Sequence, residues 1–374
     1  MKKFSKTLLT VAQCALVVVV GGLLISFTNK IPTEPKVKNI IFLIGDGMGI
    51  SHITATMINQ NYEPLALERA DYVGLQKTYS SNNLITDSAA AGTALSTGHQ
   101  TYNGAIGVDA DKQPVENIRE VAEGLGMATG VVATYAVTHA TPGAFMGHVE
   151  SRKMQDEIAE QFLDSGVDVF FGGGMKFFAK RADSLNLVSK LQEKGYVIAS
   201  SLEEIADVHS GNVGVLAASN GLPKMTKNRG SFLPDATAKA LEILTANAKK
   251  NKSGFFLMVE GSQIDGEAHA NNIEGVIAET LDFDAAIKIS FDYADTHPGT
   301  LVVVTADHET GGLTIINNND KFDVDKNPVA YAFTTKGHSG GMVPIFAYGT
   351  GARAFSRVME NTDIPQIMKS LLTE

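Results

Sequence analysis

A chain of 374 residues, 44% of them hydrophobic, can bury a large core as one large α/β domain or two ordinary ones, which excludes a disordered or low-complexity protein. A formal net charge of -10 with no long basic run excludes a non-specific nucleic-acid binder, which needs a basic patch to displace counterions. The single cysteine, Cys14, is close to the N-terminus, so the body has no disulfide or thiolate-held metal, and any metal there must be held by His and carboxylates.

Lys2, Lys3 and Lys6 precede an apolar stretch over residues 8–27, followed by the polar run TNKIPTEP. A positive head before an apolar segment close to the roughly 20 residues that span a bilayer is export chemistry: a cleaved signal peptide or an uncleaved membrane anchor. Three lysines precede the segment and none lies within it, which orients the N-terminus inward and translocates the rest. Gln13 stands where a lipidated cysteine needs a small residue, which argues against lipidation of Cys14. Residues 1–35 are read as leader plus linker, and the protein as exported: periplasmic, secreted or membrane-anchored.

KNIIFLIGDGMG then predicts a buried strand running into a glycine turn. Similar β-rich runs follow at 129–134, 167–171, 255–259, 300–305 and 343–348, with helical patterns at 114–124, 153–163, 234–250 and 273–294. Apolar strands alternating with amphipathic helices predict an α/β fold with a large, mainly parallel central sheet flanked by helices on both faces. Residues 177–229 are more polar, with short apolar runs at 196–199 and 213–217, and read as an elaboration of a single catalytic domain over 36–374. In open α/β sheets ligands gather at the carboxyl ends of strands. Asp46 follows IIFLIG, Glu260 follows FFLMV, and Asp307 and His308 follow LVVVTA. Unless the sheet order scatters them, several acids buried together imply bound cations.

GDGMG at 45–49 superficially matches a dinucleotide loop, but Ile50 replaces the third glycine and Asp46 would set its charge against a pyrophosphate. Alone, it fits a glycine turn with a solvated Asp as well as a metal site. GHSGG at 337–341 satisfies G-x-S-x-G, yet that elbow needs a histidine after the serine, and none follows His338. The loop is left presenting His338. In EGSQIDGEAHANN, Asp265 and His269 share one helical face, a spacing that serves one ion or a plain Asp–His contact. TADHETGG adds the adjacent pair Asp307 and His308. Asp46, Asp307 and His308 make one oxygen-and-nitrogen set, and Asp265, His269 and His338 another. Two such sets suit two zinc ions stabilising both oxygens of an in-line phosphoryl displacement.

The motifs IGDGMG, TDSAAAGTA, VTHATPGA, HVESR, EGSQIDGEAH, TADHETGG and GHSGG run in consistent order from about residue 39 onward, and in that order the chain resembles the alkaline phosphatase family. The resemblance implies hydrolysis of phosphate monoesters through a phosphoserine at a site with two Zn2+ and one Mg2+. Ser88 would be the nucleophile, deprotonated at zinc without a histidine base. Locally, the same serine reads as an N-cap for AAAGTAL, whose helix N-terminus favours an anion.

By resemblance, Asp265, His269 and His338 hold the zinc that receives the leaving oxygen and then activates water. Asp46, Asp307 and His308 hold the zinc beside Ser88. Asp46 bridges to magnesium, completed by Thr141 and Glu260, whose oxygens suit that ion. Arg152 clamps two phosphate oxygens with its planar fork, where the bland reading is a surface ion pair, and Asp87 orients it. His139 stands where relatives carry Asp or His, which bears on the third metal's identity. Gly266 stands where relatives place a larger, phosphate-holding residue, which implies a looser grip and faster product release. A homodimer and an alkaline optimum are implied too. The rivals are a superfamily phosphodiesterase or sulfatase-like hydrolase, and a non-catalytic exported metal- or phosphate-binding protein. DSAAA lacks the C-x-P-x-R-like motif of a sulfatase, and the last rival needs a missing ligand or nucleophile.

Overall fold

The computed structural model describes residues 35–318 and 329–373, so the expected leader lies outside the described residues. In chain order the strands are β1 (Asn39–Gly45), β2 (Tyr72–Lys77), β3 (Ala128–Ala136), β4 (Val169–Gly173), β5 (Val197–Ala199), β6 (Val213–Leu216) and β7 (Phe255–Gly261). They continue with β8 (Thr300–Thr305), β9 (Glu309–Thr310), β10 (Leu313–Ile316), β11 (Ala330–Phe333), β12 (His338–Ser339), β13 (Val343–Gly349) and β14 (Val358–Glu360).

Among the described residues ten strands form one sheet in the order β14-β2-β13-β8-β1-β7-β3-β4-β6-β5. Only β13 runs against its neighbours. Successive side chains on a strand point to opposite faces, and this sheet buries both. Ile40, Phe42 and Ile44 join Phe256, Met258, Leu301 and Val303 in one apolar cluster. Ile41 and Leu43 join Leu257, Val259, Val302 and Val304 in the other. Helices Ile118–Gly124, Ala140–Met146 and Asp363–Thr373 cover the first face, and Ile50–Asn59, Phe232–Asn251 and Ile273–Thr296 the second. The irregular stretch 177–229 contributes β5 and β6, which extend this sheet beyond β4.

The small residues of SAAAGTALST make a helix that can be buried whole. Every residue of Ser88–Thr97 is buried, and a Cβ on Gly92 would lie 3.3 Å from Ala144 Cβ and from Thr141 Cα on the helix Ala140–Met146. The glycine permits this close approach, which sets Thr141 beside the helix that begins at Ser88.

A second packing feature binds residues 222–229 to two helices. Gln263 Nε2 donates to the carbonyls of Leu222 and Pro223 at 3.0 and 3.2 Å. Met225 N donates to Glu279 at 2.8 Å, and the buried Arg229 guanidinium donates to Glu279 and, at 2.7 Å, to Asp282. Removing one partner of a buried ionic cluster leaves uncompensated charge and costs about 3–5 kcal/mol. Arg229→Met should therefore lose stability of that order in urea unfolding, and a loss below about 1 kcal/mol would contradict the burial of this cluster.

Candidate active site

Strands β8, β1 and β7 lie side by side, and Ile44 of β1 is in register with both Glu260 of β7 and Thr305 of β8. Their carboxyl ends therefore bring Asp46, Glu260 and Asp307 together. Strand β3, beside β7, ends at Ala136 and leads directly to His139 and Thr141. The turn after β1 needs its glycine twice over. Gly47 has φ +73°, and a Cβ there would stand 2.8 Å from Thr310 Oγ1 and 3.0 Å from Asp265 Cα. Its N–H donates to Asp307 Oδ1 at 2.9 Å, as does the N–H of His308.

Three groups of side chains offer ligand atoms that lie within 4.8 Å of one another: Asp46, Asp307 and His308; Asp265, His308 and His338; and Asp46, His139 and Glu260. His308 Nε2 is 3.1 Å from Asp307 Oδ2, 3.6 Å from Asp46 Oδ1 and 3.2 Å from Ser88 Oγ. The His338 ring stacks on His308 with centroids 3.6 Å apart, and its Nε2 is 3.6 Å from Asp265 Oδ1. A carbonyl only accepts, so His338 Nδ1 must carry the proton it gives to Thr86 O at 2.8 Å, which leaves Nε2 as a lone pair for a cation. His269 is held likewise: Nδ1 donates to the Lys336 carbonyl, and Nε2 is 3.2 Å from Asp265 Oδ1. The sequence pattern sets His269 with Asp265 and His338. The structure sets it against Asp265 and brings His308 into the group with Asp265 and His338.

Both carboxylate oxygens of Asp46, Asp307 Oδ2, Glu260 Oε1, Thr141 Oγ1 and His139 Nδ1 are buried without a hydrogen-bond partner among the described residues. Orphaned polar atoms are costly singly, and the carboxylate and hydroxyl oxygens among them, gathered this way, fit divalent cations, whereas neutral His139 accepts from Arg152 at Nε2 and so carries its proton on Nδ1. The titration behaviour agrees. Burial, reinforced by the Asp307 charge, pushes the Asp46 carboxyl well above its usual range, and burial pushes Glu260 up to about 7. Burial also acts on Asp307, but the adjacent His308 holds its carboxyl below the usual range. His139 is pushed down to about 4, first by burial and then by Arg152, so it is neutral at pH 7.

The aspartate beside Ser88 is the N-cap of the helix, correcting the local reading of Ser88 as the cap. Asp87 Oδ1 accepts from Ala90 N and Gly104 N, both at 3.0 Å, while Oδ2 accepts from Arg152 Nη1 at 3.1 Å. Because the cap is one residue earlier, the Ser88 hydroxyl is not spent on backbone and faces His308. Arg152 is set by a second contact, Nη2 to His139 Nε2 at 3.2 Å.

Two supporting residues lie inside TADHETGG, beside Asp307 and His308. Thr310 Oγ1 donates to Asp265 Oδ1 at 2.7 Å and lies 3.2 Å from His308 Nδ1. Glu309 accepts from Gly312 N, Leu313 N and Ser339 Oγ, which holds β12 and hence His338 in place. Ser339, the false elbow serine, is thus a structural donor.

A family model described as alkaline phosphatase matches residues 37–326. Alkaline phosphatase 3 of Bacillus subtilis is 33% identical, with 99% of this chain and 98% of that protein aligned. The structure of alkaline phosphatase from the Antarctic bacterium TAB5 superposes with a TM-score of 0.85 at 39% identity, covering 91% of this chain and 99% of that one. A histidine-to-glutamate variant of the TAB5 enzyme, with Mg bound in its M3 site, superposes with the same TM-score of 0.85 at 38% identity.

The carboxylates and His269 set a pH dependence for the protein with its divalent ions chelated. Glu260 ionises near 4.5 when unfolded and about 7 when folded, so the folded state holds the extra proton and stability falls as pH rises across that window. Its hydrogen bond to Asp265 raises His269 from 6.5 to about 9, so its contribution is complete below 6.5 and is lost as pH rises through 9. The chelated protein should melt lower at pH 9 than at pH 5, and Glu260→Gln should flatten the acidic part of the fall. A melting temperature flat or rising over that range contradicts this.

Proposed function

The chain belongs to the alkaline phosphatase family, enzymes that release inorganic phosphate from its monoesters, and from that premise we propose that it works through a phosphoserine on Ser88, with two Zn2+ and one Mg2+. The observation that carries this reading is a buried hydroxyl at a helix start, 3.2 Å from a histidine that belongs to two groups of candidate metal ligands. Asp46, Asp307, His308 and Ser88 would hold one zinc, and Asp265, His269 and His338 the other. Asp46, Thr141 and Glu260 would hold magnesium, with neutral His139 beside them. The oxygen-rich donors suit that ion, and Mg is bound in the similar TAB5 variant. Bound divalent ions supply Lewis-acid stabilisation to the attacking and leaving oxygens and lower the pKa of a coordinated hydroxyl.

The chain's own residues do the rest. Ser88 Oγ, its proton released to solvent, attacks phosphorus; the bond to the leaving oxygen breaks, and its electron pair departs with the alkoxide, which takes up a proton from water. Arg152, permanently charged and aimed by Asp87, takes two non-bridging oxygens through its fork. The amides at the start of the helix favour the transferred phosphoryl group. Water, giving up a proton, then attacks phosphorus from the side opposite Ser88; the bond from phosphorus to Ser88 Oγ breaks and that oxygen regains a proton, restoring Ser88 and releasing phosphate, and two inversions give net retention. A monoester dianion uses the Arg152 fork and the three-cation site fully, which favours it over a diester.

The lysine-flanked apolar leader supports export to the periplasm, the exterior or the membrane surface, followed by a single catalytic domain over 36–374. The mass of the mature N-terminus separates a cleaved leader from an anchor. A homodimer is proposed from family membership, and light scattering tests it.

Ser88→Ala should retain its metals yet lose the phosphoenzyme and several orders of magnitude in turnover. Labelled phosphate trapped on the variant at the wild-type level would refute the assignment. Assayed side by side, a nitrophenyl phosphate should outrun its diester and its sulfate, and a diester preference would overturn the substrate class.

A further inference from the structure

Gly266, next after Asp265 on the helix Gln263–His269, was expected to leave phosphate loosely held. The space it leaves open has an occupant from elsewhere in the chain. Beyond its own helix backbone and chain neighbours, a Cβ on Gly266 would meet, among the described residues, two atoms within 4 Å: Lys224 Nζ at 3.8 Å and Cε at 3.9 Å. The ammonium donates to the Gly266 carbonyl at 3.3 Å and is 3.3 Å from Glu267 Oε1. An ammonium has three donors, so one N–H remains for an anion or a bridging water.

The placement is built rather than incidental. Residues 222–229 are fastened on both sides of Lys224: by Gln263 to the carbonyls of Leu222 and Pro223, and by Glu279 and Asp282 to Met225 N and Arg229. Thr226 Oγ1 adds a 3.3 Å contact to Glu267. The segment is thereby tied to the same helix that carries Asp265 and His269, with the Lys224 side chain at the glycine between them. Lys224 is also partly exposed, as a group that meets an incoming substrate must be.

We infer that Lys224 is a phosphate-positioning residue of this site, its ammonium taking the space that Gly266 leaves open and drawing the phosphoryl group and product phosphate toward the metal-binding side chains. The inference rests on the phosphomonoesterase reading above. A flexible cationic stem of this kind attracts substrate and product alike, so it strengthens binding without accelerating chemistry.

Lys224→Ala in the metal-loaded enzyme should raise both KM and the phosphate inhibition constant about tenfold, the scale of one charge-assisted hydrogen bond, with kcat unchanged or higher. Calorimetric titration with inorganic phosphate should show the same weakening. Lys224→Arg should recover most of it, as should Gly266→Lys placed in the Lys224→Ala background. The fold should survive, because Glu267 keeps its 2.8 Å hydrogen bond from Asn272. Phosphate binding within twofold of wild type in Lys224→Ala overturns the inference, as does an equal loss in Lys224→Arg, which marks a structural role. Wild-type protein without phosphomonoesterase activity sinks the functional reading instead, so the two failures are distinguishable.

Discussion

Burial of like charge at adjacent strand ends is the constraint on which this structure depends. Asp46, Glu260 and Asp307 are fully enclosed, Asp265 is partly so, and Arg152 is the guanidinium that faces them. Ionised carboxylates in such a place repel one another and have lost their water, which the raised values of Asp46 and Glu260 express. Divalent cations relieve both penalties together. The same charges that make the ion-free site unfavourable are therefore what would bind metal there.

The surroundings serve to hold that cluster in register. The all-parallel run of β8, β1, β7 and β3 brings four carboxyl ends to one edge. A left-handed Gly47 lets the backbone pass within reach of Asp307 and Asp265. Small residues let the Ser88 helix settle against the helix carrying Thr141, and Asp87 caps it while fixing Arg152. One carboxylate thus links the geometry of Ser88, the proposed nucleophile, to that of Arg152, the proposed phosphate clamp.

Much of this was legible in the sequence. Buried parallel strands are continuous apolar runs, so IIFLIG, FFLMV and LVVVTA announce themselves, and the acids that follow them are conspicuous because charge seldom follows such runs without purpose. What the pattern could not supply was order in space. Whether those strand ends meet depends on sheet topology, which no local period encodes. The sharing of His308 between two ligand groups depends on how the β9 and β12 pair folds back. The cap fell one residue earlier than read because Asp and Ser are equally good caps and only the backbone decides between them. Lys224 was invisible because its partner, Gly266, lies 42 residues away and contributes no side chain.

The direct test of this charge-driven site is anomalous diffraction at the zinc edge from crystals of the protein supplied with zinc and magnesium. Two peaks are predicted, one among Asp46, Asp307, His308 and Ser88 and one beside Asp265 and His338, with a lighter ion among Asp46, Thr141 and Glu260. Crystals grown in both metals with no anomalous peak between these side chains would contradict it.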